Sequence, residues 1–207
     1  MTYSIVALDP GKRFVGVATV SGSVAVGSRV PWARYGVGAV ATQAYTNPAL
    51  GPRILELLEQ GLNAEEALRK AIEEDPEPEL RQVAVIGFDG SKAVFNGSSI
   101  PAEYGSYVGE YCVCIANLVK SPRIAEAMCR RFDEVVHVVE FHEALLRALE
   151  EGAKLGGDLR GDRSAAMLVC GSTVYGKLYD KVIDARVDYS TNPIKELRKV
   201  IEMMIAR

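Results

Sequence analysis

After Met1 the chain runs Thr2-Tyr3-Ser4-Ile5-Val6-Ala7-Leu8, then Asp9-Pro10-Gly11-Lys12-Arg13, then Phe14-Val15-Gly16-Val17-Ala18-Thr19-Val20-Ser21. Two β-branched runs flank a segment of turn formers, which reads as a hairpin. From Ile5 to Leu8 the apolar residues are consecutive, so this strand needs cover on both faces. Val83 to Ile86 makes the same demand. A second sheet on one side and helices on the other would meet it.

Outward from the hairpin the elements come in groups. Strand-like runs at 23–30 and 36–44 bracket Pro31-Trp32-Ala33-Arg34 as a connector. A helix pair follows at 53–60 and 64–74, the second opened by an Asn63/Glu66 capping box. The Asp89-Gly90 pair predicts a hairpin between 80–88 and 92–96. After a polar connection come a strand at 111–116, helices near 121–132 and 136–151, and a glycine-rich loop at 156–163. Strands at 164–170, 174–178 and 182–187 and a helix at 194–205 close the chain. Strand clusters separated by helix pairs are not the strict alternation of a doubly wound parallel sheet. The expectation is one α+β domain over 1–207, a four-layer αββα sandwich of two mainly antiparallel sheets.

Composition limits the function. In 207 residues, 24 Lys and Arg face 27 Asp and Glu, a net charge of −3 that gives no general attraction to nucleic acid or an anionic membrane. Arg29 and Arg34 interrupt the longest apolar region, so no membrane partner is expected. The amino terminus lacks a basic n-region, which predicts a cytoplasmic protein. Cys112 and Cys114 form a C-x-C, with Cys129 and Cys170 in separate elements, so free thiols and no metal are expected. His137 and His142 are the only histidines, and residue 146 is Leu, which argues against a histidine triad and an H-E-x-x-H zinc site.

Several runs carry a family resemblance: Thr2 to Pro10, Val30-Pro31-Trp32-Ala33-Arg34, and Gly36-Val37-Gly38-Ala39-Val40-Ala41-Thr42-Gln43-Ala44-Tyr45-Thr46-Asn47-Pro48. Gly156-Gly157-Asp158-Leu159-Arg160-Gly161, Ser164-Ala165-Ala166 and Arg186-Val187-Asp188 extend it to the last helix. Together they resemble the domain of unknown function 1028 family. The element order, with a hairpin starting at residue 2, resembles the N-terminal nucleophile (Ntn) hydrolases, which include proteasome subunits and penicillin acylases.

By itself, Thr2 is a residue that starts a strand. The resemblance implies a nucleophile: removal of Met1 would free the Thr2 amine to act as base for its own hydroxyl. It also implies Arg34 as the cation beside that amine, although a surface ion pair is an equal reading. Asn117 is a candidate oxyanion donor or a plain turn residue. Asp158 and Ser164 loosely resemble the Asp and Ser that orient a proteasome-type threonine. Thr42, Gln43 and Arg160 are candidate substrate contacts. The glycine-rich loop leads into a strand, so a phosphate-loop geometry is absent. These readings imply a cofactor-independent amidohydrolase acting on a small-molecule or peptide amide, assembled as a homo-oligomer. The alternative is a non-catalytic binding or assembly subunit that keeps the fold.

Overall fold

The computed structural model describes residues 2–101 and 103–206. The opening hairpin forms as β1 (Thr2–Leu8) and β2 (Phe14–Ser21), followed by β3 (Pro31–Arg34) and β4 (Gly38–Ala44). Helices α1 (Leu50–Glu59) and α2 (Ala64–Glu73) precede β5 (Arg81–Gly87) and β6 (Lys92–Asn96). Then come β7 (Gly105–Val108), β8 (Cys112–Asn117), α3 (Ile124–Val135) and α4 (Phe141–Lys154). Strands β9 (Ser164–Gly171) and β10 (Lys181–Val187) and helix α5 (Pro193–Ile205) complete the chain.

The strands make a six-stranded sheet, ordered β10-β9-β2-β1-β8-β7, and a four-stranded sheet, ordered β3-β4-β5-β6. All pairings are antiparallel. The alternation of β1 explains the layers. Tyr3, Ile5 and Ala7 pack with Met128, Phe132, Leu145 and Leu149 of α3 and α4, beside Leu197 and Ile201 of α5. Val6 and Leu8 face the second sheet, meeting Ala39, Ala41, Ala84 and Ile86. On that sheet's other face, Val40, Val83 and Val85 pack under Ile54, Leu57 and Leu68 of α1 and α2. The order is therefore αββα, with the first hairpin at the centre of the larger sheet.

Local signals account for several boundaries. Asn63 Oδ1 accepts from Glu66 N–H at 3.0 Å while Glu66 Oε2 accepts from Asn63 N–H at 3.1 Å, closing the capping box of α2. Gly90 takes φ +96° at the β5–β6 turn. Pro31 sits on an edge strand, where its missing N–H leaves no ladder bond unmade.

Other expectations are corrected. No strand covers 23–30: Ala25 takes φ 54°, and a short 3-10 turn spans Val26–Ser28. The connector Pro31–Arg34 is instead β3. Nor do residues 174–178 form a strand; they lie exposed, Val174 to 93% and Leu178 to 96%. Conversely, the polar connection after β6 contains β7, and α1 begins at Leu50.

Candidate active site

The space between the sheets is apolar along most of its length and polar at one end. Register makes the change. Thr2 lies opposite Asn117 on β8 and opposite Ser21 on β2, and Ser21 lies opposite Ser164 on β9. Directly opposed residues share a face, so Asn117, Thr2, Ser21 and Ser164 form one row across four strands, facing the second sheet. All four are buried. Ser4 and Thr19 form the next row inward, their hydroxyls 2.8 Å apart.

Thr2 Oγ1 donates to Ser21 Oγ at 3.2 Å, and Ser21 Oγ also accepts from Ser23 N–H at 3.0 Å. Ser164 Oγ donates to Ser23 O at 2.6 Å and accepts from Val26 N–H at 3.2 Å. This hydroxyl pins the turn that the sequence had read as a strand. Asp158, fully buried, accepts from Gly22 N–H at 2.7 Å and pairs with Arg160, whose Nε lies 3.2 Å away. Arg160 also donates from Nη2 to Ser23 Oγ at 3.3 Å, which brings the guanidinium to the rim of the row. In the same loop Asp162 accepts from Tyr3 Oη at 2.6 Å and from Asp158 N–H at 3.0 Å. Burial, then the nearby Asp162 carboxylate, push the Tyr3 phenol well above its ordinary range, and burial also raises the Asp162 carboxyl.

From the second sheet a chain of amides reaches the row. Gln43 Oε1 accepts from Ser4 Oγ at 2.6 Å, and Gln43 Nε2 donates to Thr2 O at 3.0 Å and to Gln82 Oε1 at 2.8 Å. Gln82 Nε2 in turn donates to Ala116 O at 3.1 Å and to Asn96 Oδ1 at 2.8 Å. Asn117 Nδ2 donates to Gln82 Oε1 at 2.9 Å. One N–H of the amide expected to serve an oxyanion is thus already engaged, while Asn117 Oδ1 is buried with no hydrogen-bond partner among the described residues.

Thr2, Asn117, Asp158, Ser164, Gln43 and Arg160 therefore gather at one end of the sandwich. Two candidates do not. Arg34 is opposite Gly38, five positions down β4 from Gln43 and about 17 Å away at 3.4 Å per residue. Its Nη1 bonds Glu59 Oε2 at 2.6 Å, so it is the ion pair of the alternative reading rather than a cation beside Thr2. Thr42 points to the helical face of its sheet, where its hydroxyl bonds Asn47 O at 3.2 Å. A cleft of about 640 Å³ lies beside Arg34, Tyr35, Glu59, Lys177 and Asp180, at the far end from Thr2. Met1, whose removal the nucleophile reading requires, lies outside the described residues.

Ser21, Ser4 and Gln82 were missed. The hairpin register would have found Ser21; nothing local marks Gln82, which reaches the row from the other sheet. The cysteines are free thiols in separate elements, as expected, but Cys129 on α3 folds back onto the C-x-C. The sulfurs of Cys112, Cys114 and Cys129 lie within 4.8 Å of one another, a grouping that can hold a metal ion. They are on the helical face of β8, away from the Thr2 row. As free thiols they satisfy one another: Cys112 donates to Cys129 Sγ at 2.9 Å, and Cys129 donates to Tyr107 O at 3.5 Å. Burial opposes ionisation of all three and raises Cys112 and Cys114, whereas at Cys129 the hydrogen bonds with Cys112, Cys114 and the Gly109 backbone together outweigh it and bring that thiol to about 6.

Comparison with known proteins places the chain. A crystal structure of protein SPO2555 from Silicibacter pomeroyi, described as DUF1028, matches with TM-score 0.88 and 28% identity, covering 98% of this chain and 85% of that one. Anbu (ancestral beta-subunit) from Yersinia bercovieri matches with TM-score 0.46 and 12% identity, covering 100% of this chain and 95% of that one. No curated protein matches. The profile of the family of unknown function DUF1028 matches residues 2–197, and the chain belongs to that family.

Proposed function

We propose that the protein is an N-terminal-nucleophile amidohydrolase whose nucleophile is Thr2 after removal of Met1. What carries the reading is the position of Thr2: first residue of a central strand, in a row of hydroxyls and an amide at the polar end of an otherwise apolar interlayer. In the reaction the Thr2 amine takes the proton of Oγ1 while Oγ1 attacks the carbonyl carbon of a small-molecule or peptide amide. A C–O bond forms, the C–N bond breaks, and the resulting ammonium returns the proton to the leaving nitrogen. Water then hydrolyses the acyl ester, with the amine again as base. Arg160 at the rim is the substrate contact we retain from the sequence reading. The chemistry needs no cofactor. A cytoplasmic setting suits four reduced thiols.

The second reading, a binding or assembly subunit with the same fold, is favoured by one observation. Thr2 is only 4% exposed, and the N–H groups of Gly22, Ser23 and Val26 are already engaged. Mass spectrometry separates the two. Intact mass reports Met1 removal, and a β-lactone probe should then acylate the first tryptic peptide of the wild type and of Thr2→Ser, but not of Thr2→Ala. Equal labelling of processed wild type and Thr2→Ala would favour the subunit.

A further inference from the structure

Asn117 Oδ1 is an anomaly in an otherwise satisfied network. The residue is fully buried, and an unsatisfied buried acceptor loses its hydration with nothing in return, so few survive in folded proteins. Turning the amide over does not remove the problem. Carbonyl oxygens only accept, so Thr2 O fixes the NH2 of Gln43, and Ala116 O fixes the NH2 of Gln82. Gln82 Oε1 therefore faces Asn117, and a flipped Asn117 would set two amide oxygens 2.9 Å apart. The orphan atom is the oxygen.

Strand alternation identifies its donor. Leu8 N–H donates to Tyr111 O at 2.9 Å, at the far end of the β1–β8 ladder. In an antiparallel pair hydrogen-bonded positions recur every second residue, so Val6–Val113, Ser4–Ile115 and Thr2–Asn117 are also bonded pairs. The backbone nitrogen of Thr2 consequently points at β8, towards Asn117. Before processing this nitrogen carries one N–H, which serves the backbone ladder. After processing it carries at least two.

We infer that Asn117 is a positioning residue, its Oδ1 accepting the second N–H of the processed Thr2 amine. This rests on the function proposed above. With one N–H on the Asn117 backbone oxygen and the other on Oδ1, the lone pair of the neutral amine is the direction left for the Oγ1 proton. The row itself adds only uncharged groups: Ser21 from β2, Ser164 from β9 and the Asn117 amide from β8. The charges nearby include Asp158 paired with Arg160, Asp162 bonded to Tyr3 of β1, Lys120, whose N–H bonds Gly157 O, and Arg163, whose N–H bonds Ser21 O.

The test measures the Thr2 amine itself, by NMR titration of processed protein labelled at threonine, alongside β-lactone labelling. An acceptor on the ammonium raises its pKa. Asn117→Asp, which keeps the acceptor and adds charge at the cost of setting an oxygen against Gln82 Oε1, should raise the amine pKa by about one pH unit or more. Asn117→Leu, which removes the acceptor, should lower it and slow Thr2 acylation about tenfold or more at its optimum pH. A role confined to packing would alter thermal stability and leave both titrations at the wild-type midpoint; that result overturns the inference, even if Thr2 is labelled. The converse result, midpoints that move as stated with no acylation of Thr2 in any protein, upholds the placement of the amine and counts against the hydrolase reading alone.

Discussion

At Gly22 the backbone passes so close to Asp158 that a Cβ would overlap the carboxylate. Gly22→Ala should therefore cost about 2 kcal/mol, read from the urea midpoint, because Asp158 is also held by Arg160 and cannot move aside freely. Arg34→Ala tests the opposite kind of residue. Several strand positions from Thr2, and beyond a Debye length of about 8–10 Å, it should leave the pH profile of Thr2 acylation unchanged. Asp75 gives the clearest dependence on pH. It accepts from Arg81 Nε and Nη2, each at 3.1 Å, and from Asn47 Nδ2 at 2.9 Å. Burial by itself would raise its pKa, but the Arg81 fork and the other donors outweigh it and hold the carboxyl below its usual range. A lowered folded-state pKa contributes stability above the unfolded value of about 3.9, and that contribution disappears as pH falls through the folded value. Asp75→Asn should cost about 3 kcal/mol at neutral pH, with the gap from wild type closing below about pH 4 in denaturant titrations.

Elements were legible where their signal was local. The Asn63 capping box and the Asp89-Gly90 turn lie within a few residues of what they control, and both were readable. Asn63→Ala should remove about 1 kcal/mol, seen as a lower melting temperature. Segment 23–30 misled because apolar composition was its only local cue. Its geometry depends on Ser164, far along the chain, whose hydroxyl captures Val26 N–H. Residues 174–178 misled for the reverse reason: strand-like composition cannot supply a partner. Leu178→Ser should therefore shift stability by less than about 0.5 kcal/mol, whereas Phe132→Ala, in the core under the larger sheet, should cost about 3–5 kcal/mol.

For the whole molecule, doubly apolar strands implied the layers, because a sheet with two dry faces must be covered twice. The gathering of Thr2, Asn117, Asp158 and Ser164 was only partly readable. It depends on strand order, which places β1 between β2 and β8 and β9 beyond β2. Assembly remains a prediction at this scale. Light scattering at micromolar concentration should return twice 22.4 kDa or a higher multiple; a monomer would overturn it.

The central place of β1 also sets a clock. Its partner β2 leaves the ribosome almost at once, but Asn117 follows Thr2 by about 6 to 23 s at a synthesis rate of ~5–20 residues per second. During that interval one edge of β1 has no neighbour and its first peptide bond is open to an aminopeptidase. Once β8 pairs, that edge is taken. Maturation on the proposed reading thus belongs to the nascent chain: a folded, Met1-bearing protein should resist methionine aminopeptidase, and the same polypeptide held in urea-weakened form should be trimmed.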